Sequence, residues 1–284
     1  MSNHQSPITN LQSQLESAYP ADEAEALAWW IAEELTGLSR TQLQIGCKDT
    51  TFFANMQKIQ PIIDRLLHFE PIQYIFGHTL WAGLDLKLTP ATLIPRPETA
   101  ELVERIQNTE YRVQTDNAPL RVLDIGTGSG CIAIALKKAH PEWQVTGIDI
   151  SAEAIEVARE NAKRNNVEVD FYVADIFNLQ SPITNLQYDV VVSNPPYIRD
   201  SEKVSMNPNV LDYEPASALF VPDDDPLRFY RRIAELRLGR QLFFEISEYF
   251  SDGIEDLLHQ SGYTDIYTYR DIYGKPRIVT CKMR

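Results

Sequence analysis

Basic charge is what this chain is short of: 26 Lys and Arg stand against 40 Asp and Glu, a formal net charge of −14 over 284 residues. Proteins that grip long duplex nucleic acid do so through basic patches that displace counterions, so direct nucleic-acid binding is not expected. Cysteine is scarce too, three in all. Cys47, Cys131 and Cys281 lie far apart and form no CxxC pair, which argues against a zinc site or a disulfide framework and fits a reducing cytoplasm. No run approaches 18 apolar residues, and the first residues carry no basic segment followed by an apolar core. Neither a membrane span nor an export signal is expected. None of the five His lies near the motifs described next. What remains is ordinary globular material: 44% hydrophobic residues are ample for a core, and the length allows one large domain or two modest ones.

Three stretches carry chemistry. Val190-Val191-Val192-Ser193 is an apolar β-branched run that stops at Asn194-Pro195-Pro196-Tyr197. It reads as a buried parallel strand with the Asn at its carboxyl end, where open α/β sheets bind ligands. Two prolines stiffen the turn and leave nearby carbonyls without local donors. The Asn194 oxygen and a neighbouring carbonyl could accept both hydrogens of one NH₂ group while Tyr197 stacks on the planar group. The other reading of these four residues is a strand-ending turn in which Asn194 only caps backbone.

Upstream, Leu120 to Asp124 reads as a strand, Gly126-Thr127-Gly128-Ser129-Gly130 as a glycine loop, and Cys131 to Leu136 as a helix start. Alternate glycines permit positive φ and let a ligand lie against backbone beside unpaired helix N–H groups. The spacing is GxGxG rather than GxGxxG, which fits an adenosylmethionine-type pocket better than NAD. The next strand, Gln144 to Asp149, closes on an acid 19 positions after Gly130, suited to both ribose hydroxyls. Ser151 is the better cap for the following helix, which leaves Asp149 free. Val167, Val169, Phe171 and Val173 alternate into a third strand ending at Ala174-Asp175-Ile176-Phe177. There Asp175 could accept from an adenine amine, or serve as a turn residue, and Ile176 could pack on the ring.

Elsewhere the chain reads as follows. Gln5 to Gln12 recurs identically as Gln180 to Gln187, taken as inserted loop material in a terminus and a surface loop. Leu27, Trp30, Ile31 and Leu35 form a helical face stopped by Gly37, and Ser39 caps the next helix. Phe52, Met56, Ile59, Ile63 and Leu66 make another stripe, kinked or restarted at Pro61. Leu84, Leu86 and Leu88 alternate within a hairpin-like connector, and Pro90, Pro95 and Pro97 mark the joint between domains. Asp225 and Pro226 start a later helix, Gln241 to Ile246 is a fifth strand, and Glu245 at its end either supports the amide pocket or pairs with a neighbour. Two final strands flank the turn at Tyr273 to Pro276.

The glycine loop, Asp149, Ala174-Asp175-Ile176-Phe177, NPPY and Leu93-Ile94-Pro95-Arg96-Pro97-Glu98-Thr99 together resemble the peptide chain release factor N5-glutamine methyltransferases over nearly the whole chain. NPPY is shared with other amino-group methyltransferases; the LIPRPET segment and the N-terminal region carry the subfamily. The resemblance implies a Rossmann-like class I methyltransferase domain, α/β with a mainly parallel seven-stranded sheet, at 98–284. It also implies a helical substrate-recognition domain at 21–77, after a tail at 1–20 and before a connector at 78–97. S-adenosyl-L-methionine would be held by Gly126, Thr127, Gly128, Ser129, Gly130, Asp149, Asp175, Ile176 and Asn194. Catalysis would fall to Asn194 and Pro195, substrate contact to Asn194, Pro195, Pro196 and Tyr197, with no metal, and Arg96 and Glu98 would stand beside the cofactor cleft. The implied substrate is the Gln of the Gly-Gly-Gln loop of class 1 release factors, and the implied enzyme is a cytoplasmic monomer. A ribosomal-protein glutamine methyltransferase is the alternative; an adenine-N6 DNA methyltransferase is another, but it should carry a basic DNA-binding segment. One departure stands out: relatives carry a Pro-Gly-Gly turn before the fifth strand, whereas this chain has Leu236-Arg237-Leu238-Gly239-Arg240.

Overall fold

The structure, a computed structural model, describes residues 7–45, 56–109, 119–180 and 183–284. The chain divides into two units, Met1–Phe76 and Gly77–Arg284.

The first unit is helical, with α1 (Pro7–Leu15), α2 (Ala21–Thr36), α3 (Arg40–Gln44), α4 (Met56–Leu67) and α5 (Ile72–Phe76). Its core gathers Leu11, Leu15, Ala28, Ile31, Ile59, Ile63 and Leu66, so the apolar stripes read from the sequence do meet. Phe52 lies outside the described residues. Gly37 ends α2 with φ +70°, and Ser39 accepts from the Gln42 N–H in a reciprocal capping box. Pro61 sits inside α4, which continues through it. Residues 7–15 correct the expected tail: Leu11 and Leu15 fall one helical turn apart on one face, and both are fully buried.

In the second unit, β1 (His78–Trp81) and β2 (Leu84–Lys87) form an antiparallel hairpin. Among the described residues a seven-stranded sheet follows, built from β3 (Arg121–Ile125), β4 (Gln144–Asp149), β5 (Asp170–Val173), β6 (Tyr188–Ser193), β9 (Gly239–Glu245), β10 (Tyr263–Arg270) and β11 (Pro276–Met283). A two-stranded pair, β7 (Ile198–Arg199) and β8 (Phe220–Val221), stands apart. The sheet order is β10-β11-β9-β6-β3-β4-β5, with β11 alone antiparallel. One face is covered by α6 (Pro97–Gln107), α7 (Cys131–Ala139) and α8 (Ala152–Arg164), the other by α9 (Arg228–Leu236) and α10 (Ser251–Gln260). The valine run explains itself here: Val190 and Val192 enter one core layer and Val191 the other, so every residue is buried. Strand order reverses between β3 and β6, which opens a crevice beyond their carboxyl ends.

The hairpin is not a connector, and the joint is not at the prolines. The break falls between Phe76 and Gly77, and Trp81, Leu84 and Leu86 belong to the core beneath α7 and α8. Asn161 on α8 and Asn165 at its C-cap, one turn apart, act as surrogate backbone for β2. Asn161 accepts from the Lys87 N–H at 2.6 Å and donates to its carbonyl at 3.0 Å, and Asn165 does the same for Asp85 at 3.2 and 2.8 Å. A bare edge strand is thereby satisfied by side chains, a pairing that no local pattern announces. The fifth strand begins at Gly239, where a Cβ would stand 2.5 Å from Val191 Cγ2. Before it Arg237 takes the left-handed cap of α9 at φ +49° and donates to the Ser261 carbonyl, so the atypical joint closes without a glycine pair. Helix α9 starts at Arg228, later than Asp225-Pro226; Asp225 instead pairs with Arg231.

The repeated octapeptide has two fates. Its first copy contributes residues 7–12 to α1, and its second forms a 3₁₀ turn at Ile183–Asn185. Ile183 is buried against the α9 side of the sheet, so the second copy is more than surface loop material. Ile183→Val is expected to lower stability by about 1 kcal/mol, the usual cost of one buried methylene. Thermal unfolding would read it, and an unchanged midpoint would return the segment to the surface.

Candidate active site

The crevice holds a cavity of about 500 Å³ lined by the ends of four parallel strands. Gly126 and Gly128 come from the turn after β3, Asp149 ends β4, Ala174, Asp175 and Ile176 follow β5, and Ser193 to Pro196 follow β6. The far walls are Ala91 to Leu93, the segment Pro215 to Phe220, and Arg228 and Phe229 of α9. Asn194, Pro195, Pro196, Asp149, Asp175 and Ile176 therefore meet in one cavity although the sequence spreads them over three separate strand ends.

The glycine turn is bolted down by its own backbone. The N–H groups of Gly126 and Thr127 both donate to the Ile148 carbonyl at 2.9 Å, and Ser193 Oγ donates to the Ile125 carbonyl at 2.7 Å. Gly126 and Gly128 carry φ of +72° and +54°, and a Cβ on either would meet only open space. They are glycine for conformation and for access to the cavity. Gly130 differs: at φ +81°, a Cβ would press on Ile134, Ala158 and Phe171 at 3.0 to 3.2 Å, so it serves helix packing and does not line the cavity. Thr127 and Ser129 likewise point away. Both are buried, and Thr127 donates to Asp124 Oδ2 at 2.6 Å. The loop thus sends Gly126 and Gly128 toward the cavity and Thr127, Ser129 and Gly130 away from it, which a motif count does not convey.

Asp149 is less free than the sequence suggests. Ser151 does cap α8, accepting from the Ala154 N–H at 3.1 Å. Yet Asp149 Oδ2 accepts from the Gly128 N–H and Oδ1 from the Ser151 N–H, each at 2.9 Å. Each oxygen keeps a second lone pair for a ligand. Burial raises its pKa while these N–H groups pull it back. Asp175 accepts from the Phe177 N–H at 2.9 Å, so it is a turn residue and a cavity residue together. Asp124, unnoticed in the sequence, is wholly buried behind the loop, and desolvation pushes its carboxyl up to about 7 against the Thr127 hydrogen bond.

Asn194 donates from Nδ2 to Thr99 Oγ1 at 3.3 Å, and Thr99 donates to Glu245 Oε2 at 2.7 Å. Tyr197 donates to the other oxygen, Oε1, at 3.3 Å. Its hydroxyl is thus committed to Glu245, and the residue packs partly buried beside the α9-side core rather than lining the cavity. Burial raises the Tyr197 and Glu245 pKa values. Arg96 is also outside the cavity. Its guanidinium meets Glu214 Oε1 at 2.6 Å, and Glu214 Oε2 accepts from the Ile94 N–H at 3.1 Å, with the Glu214 side chain 1% exposed. This pair, buried on the Glu214 side and partly exposed on the Arg96 side, ties the proline-rich segment to the wall that continues at Pro215. Sequence reasoning gives no role to Asp124, to Thr99 and Glu214, which lie in segments that carry the family resemblance, or to the Arg228 guanidinium, which lies 4.5 Å from the centre of the Phe177 ring. Their signals were Thr at the start of a helix facing a strand end and Glu in an otherwise ordinary loop.

The donor set suits S-adenosyl-L-methionine: one turn with two Cβ-free positions for close backbone approach, an acid with spare lone pairs for a diol, and Ile176 and Phe177 for a flat base.

Two family descriptions match the chain: the PrmC N-terminal domain over residues 8–77 and the methyltransferase small domain over 99–211. A release factor glutamine methyltransferase of Bacteroides thetaiotaomicron is 43% identical over 95% of this chain and 96% of its own length. One from Flavobacterium psychrophilum is 39% identical over 97% and 98%, and one from Streptococcus pneumoniae 38% identical over 91% of each. Among solved structures, the hMettl16 catalytic domain in complex with a MAT2A 3′UTR hairpin is similar with a TM-score of 0.54 and 15% identity, covering 71% of this chain and 76% of that one. That likeness concerns the fold alone. With such relatives spanning both units end to end, the chain belongs to the release factor glutamine methyltransferase family.

Proposed function

We propose that this enzyme transfers a methyl group from S-adenosyl-L-methionine to the side-chain nitrogen N5 of the glutamine in the Gly-Gly-Gln loop of a class 1 release factor, acting as a cytoplasmic monomer. The observation that carries the chemistry is the position of Asn194: it lines the cavity at the end of β6 with its Nδ2 engaged by Thr99, which leaves Oδ1 for an incoming amide. Among the described residues, no helix is long and apolar enough to cross a membrane.

A glutamine amide is a poor nucleophile because its lone pair is delocalised. Asn194 Oδ1 and the Pro195 carbonyl accept its two hydrogens, fix the nitrogen, and favour a less conjugated geometry. Pro195 and Pro196 contribute stiffness, since neither offers an N–H and both hold φ. S-adenosyl-L-methionine supplies an electrophilic methyl group when bound. Gly126, Gly128, Asp149, Asp175 and Ile176 hold it. The new N–CH₃ bond would form as the sulfonium S–CH₃ bond breaks, its electron pair staying on the sulfur, which becomes a neutral thioether; the methylated nitrogen is acidic, and its proton would leave to water or to the carbonyl already accepting it. No strong base is needed.

Incubation with labelled S-adenosyl-L-methionine and purified release factor is expected to label that protein. The same factor with its loop Gln replaced should remain unlabelled. Ribosomal protein and DNA serve as the competing substrates; labelling of either in place of the factor would overturn this reading.

A further inference from the structure

The geometry points to Thr99 and Glu245 as positioning residues that set which end of the Asn194 amide faces the substrate. This rests on the proposed amide transfer and adds to it the device that makes Asn194 an acceptor.

An asparagine side chain presents either a carbonyl or an NH₂ group, and the two ends have the same shape. Only the carbonyl can accept a hydrogen from a glutamine amide, so a flipped Asn194 would oppose the substrate NH₂ donor to donor. Something must enforce one orientation. Glu245 ends β9 with 1% exposure, beside Asn194 at the end of the neighbouring strand β6. As a carboxylate it only accepts, so the Thr99 hydroxyl, 2.7 Å from Oε2, must donate to it. Thr99 Oγ1 then has only lone pairs left for Asn194, and only the Nδ2 end can satisfy them, at 3.3 Å. Catalytic hydrogen bonds are commonly long before substrate docks. The order of donors is therefore fixed from the buried charge outward: carboxylate, hydroxyl, NH₂, and at the far end the Asn194 carbonyl.

The same carboxylate takes the Tyr197 hydroxyl on Oε1, so one buried charge orients both polar ends of the NPPY turn. Burial of Glu245 is costly for the fold. Its compensation consists of these two hydroxyls and the field of the Arg277 guanidinium, with Glu98 opposing. A buried charge with neutral hydrogen-bond partners is a poor stabilising device. Its position behind the reacting side chain gives it a use. Thr99 lies on α6, 146 residues from Glu245 in sequence, and is itself 2% exposed.

The test compares Thr99→Val, which keeps shape and removes the hydroxyl, with Thr99→Ser, which keeps the hydroxyl. Single-turnover methyl transfer to a release factor is measured alongside cofactor affinity by calorimetry and thermal unfolding. Thr99→Val is expected to slow the chemical step roughly 10-fold, the size of one orienting hydrogen bond, with cofactor affinity and half-saturation by the release factor within about 2-fold. Thr99→Ser should restore most of the rate. In an Asn194→Ala background Thr99→Val should cause no further loss, because its effect passes through Asn194. Wild-type transfer by Thr99→Val, no rescue by Ser, or an additive loss in the double variant would each overturn the inference. If Thr99→Val does not fold, Glu245→Gln decides: its amide donates as well as accepts, so slower transfer at unchanged cofactor affinity supports the chain of donors and wild-type transfer refutes it. Failure of the underlying reading shows separately, as an Asn194→Ala enzyme that still transfers normally.

Discussion

Asp149→Ala is expected to weaken S-adenosyl-L-methionine binding by about 10- to 150-fold, corresponding to roughly 1.5–3 kcal/mol for hydrogen bonds to a charged group. Two effects add. The first is loss of the acceptors at the end of β4, each oxygen having one lone pair to spare after taking a backbone N–H. The second is loss of the clamp on the glycine turn: without Oδ2, the Gly128 N–H has no acceptor at a point where the chain holds a left-handed φ. Asp149→Asn separates them. Its single carbonyl can satisfy Gly128 or Ser151, while its NH₂ must confront the other N–H. The Asn variant should therefore bind only partly better than Ala, and its turn should still be perturbed. Calorimetry reads the affinity and thermal unfolding the clamp. An unchanged dissociation constant in Asp149→Ala would remove Asp149 from the cofactor site.

The strand ends were legible because a buried parallel strand writes itself as an unbroken apolar run, and the first polar residue after it marks the carboxyl edge. Only the valine run of β6 is unbroken; β4 carries Thr146 and β5 alternates as a mostly exposed strand, yet Asp149, Asp175 and Asn194 all stand at or just past a strand end, and the cavity joins them. The glycine loop was legible as a loop but not residue by residue. Gly126 and Gly128 face the cavity, whereas Thr127, Ser129 and Gly130 pack behind it, since a tight turn divides its residues between two sides. What stayed hidden was long-range. Glu214 reaches Ile94 across 120 residues, and Asn161 reaches Lys87 across 74. No periodicity encodes such pairs. The octapeptide shows the limit most directly. One string of residues becomes helix in the first copy and a 3₁₀ turn in the second, because the surroundings of Ile8 and Ile183 differ. Tertiary packing overrides local propensity there.

Asn194→Ala is expected to lower methyl transfer about 10²–10³-fold while leaving cofactor affinity within a few-fold, the usual consequence of removing one preorganised hydrogen-bonding group from a reacting centre. The division of labour follows from the proposed reading: the backbone turn at Gly126 and Gly128, with Asp149, would make the main cofactor contacts, and Asn194 lines the same cavity at the adjacent strand end with Nδ2 on Thr99 and Oδ1 left for the amide. Asn194→Asp is the sharper variant. It keeps the size and gains acceptors but has no NH₂ to give Thr99, whose own hydrogen already goes to Glu245. The introduced carboxylate would face Thr99 lone pairs across 3.3 Å with a second buried carboxylate behind them. Like charges so placed raise the pKa of one partner, so the variant should take up a proton or displace the Thr99 hydroxyl from Glu245. Transfer should remain far below wild type at neutral pH and recover in part as the pH falls, because a protonated carboxyl can donate to Thr99 and still accept from the amide with its other oxygen. Single-turnover rates from about pH 5 to about pH 8, the span in which a carboxyl raised by a like charge would titrate, would read this. The release factor is the substrate and its Gln-replaced form the control. A flat profile at the wild-type rate would mean that acceptance alone suffices and that the Thr99 contact is incidental. Wild-type transfer by Asn194→Ala would remove the asparagine from the chemistry.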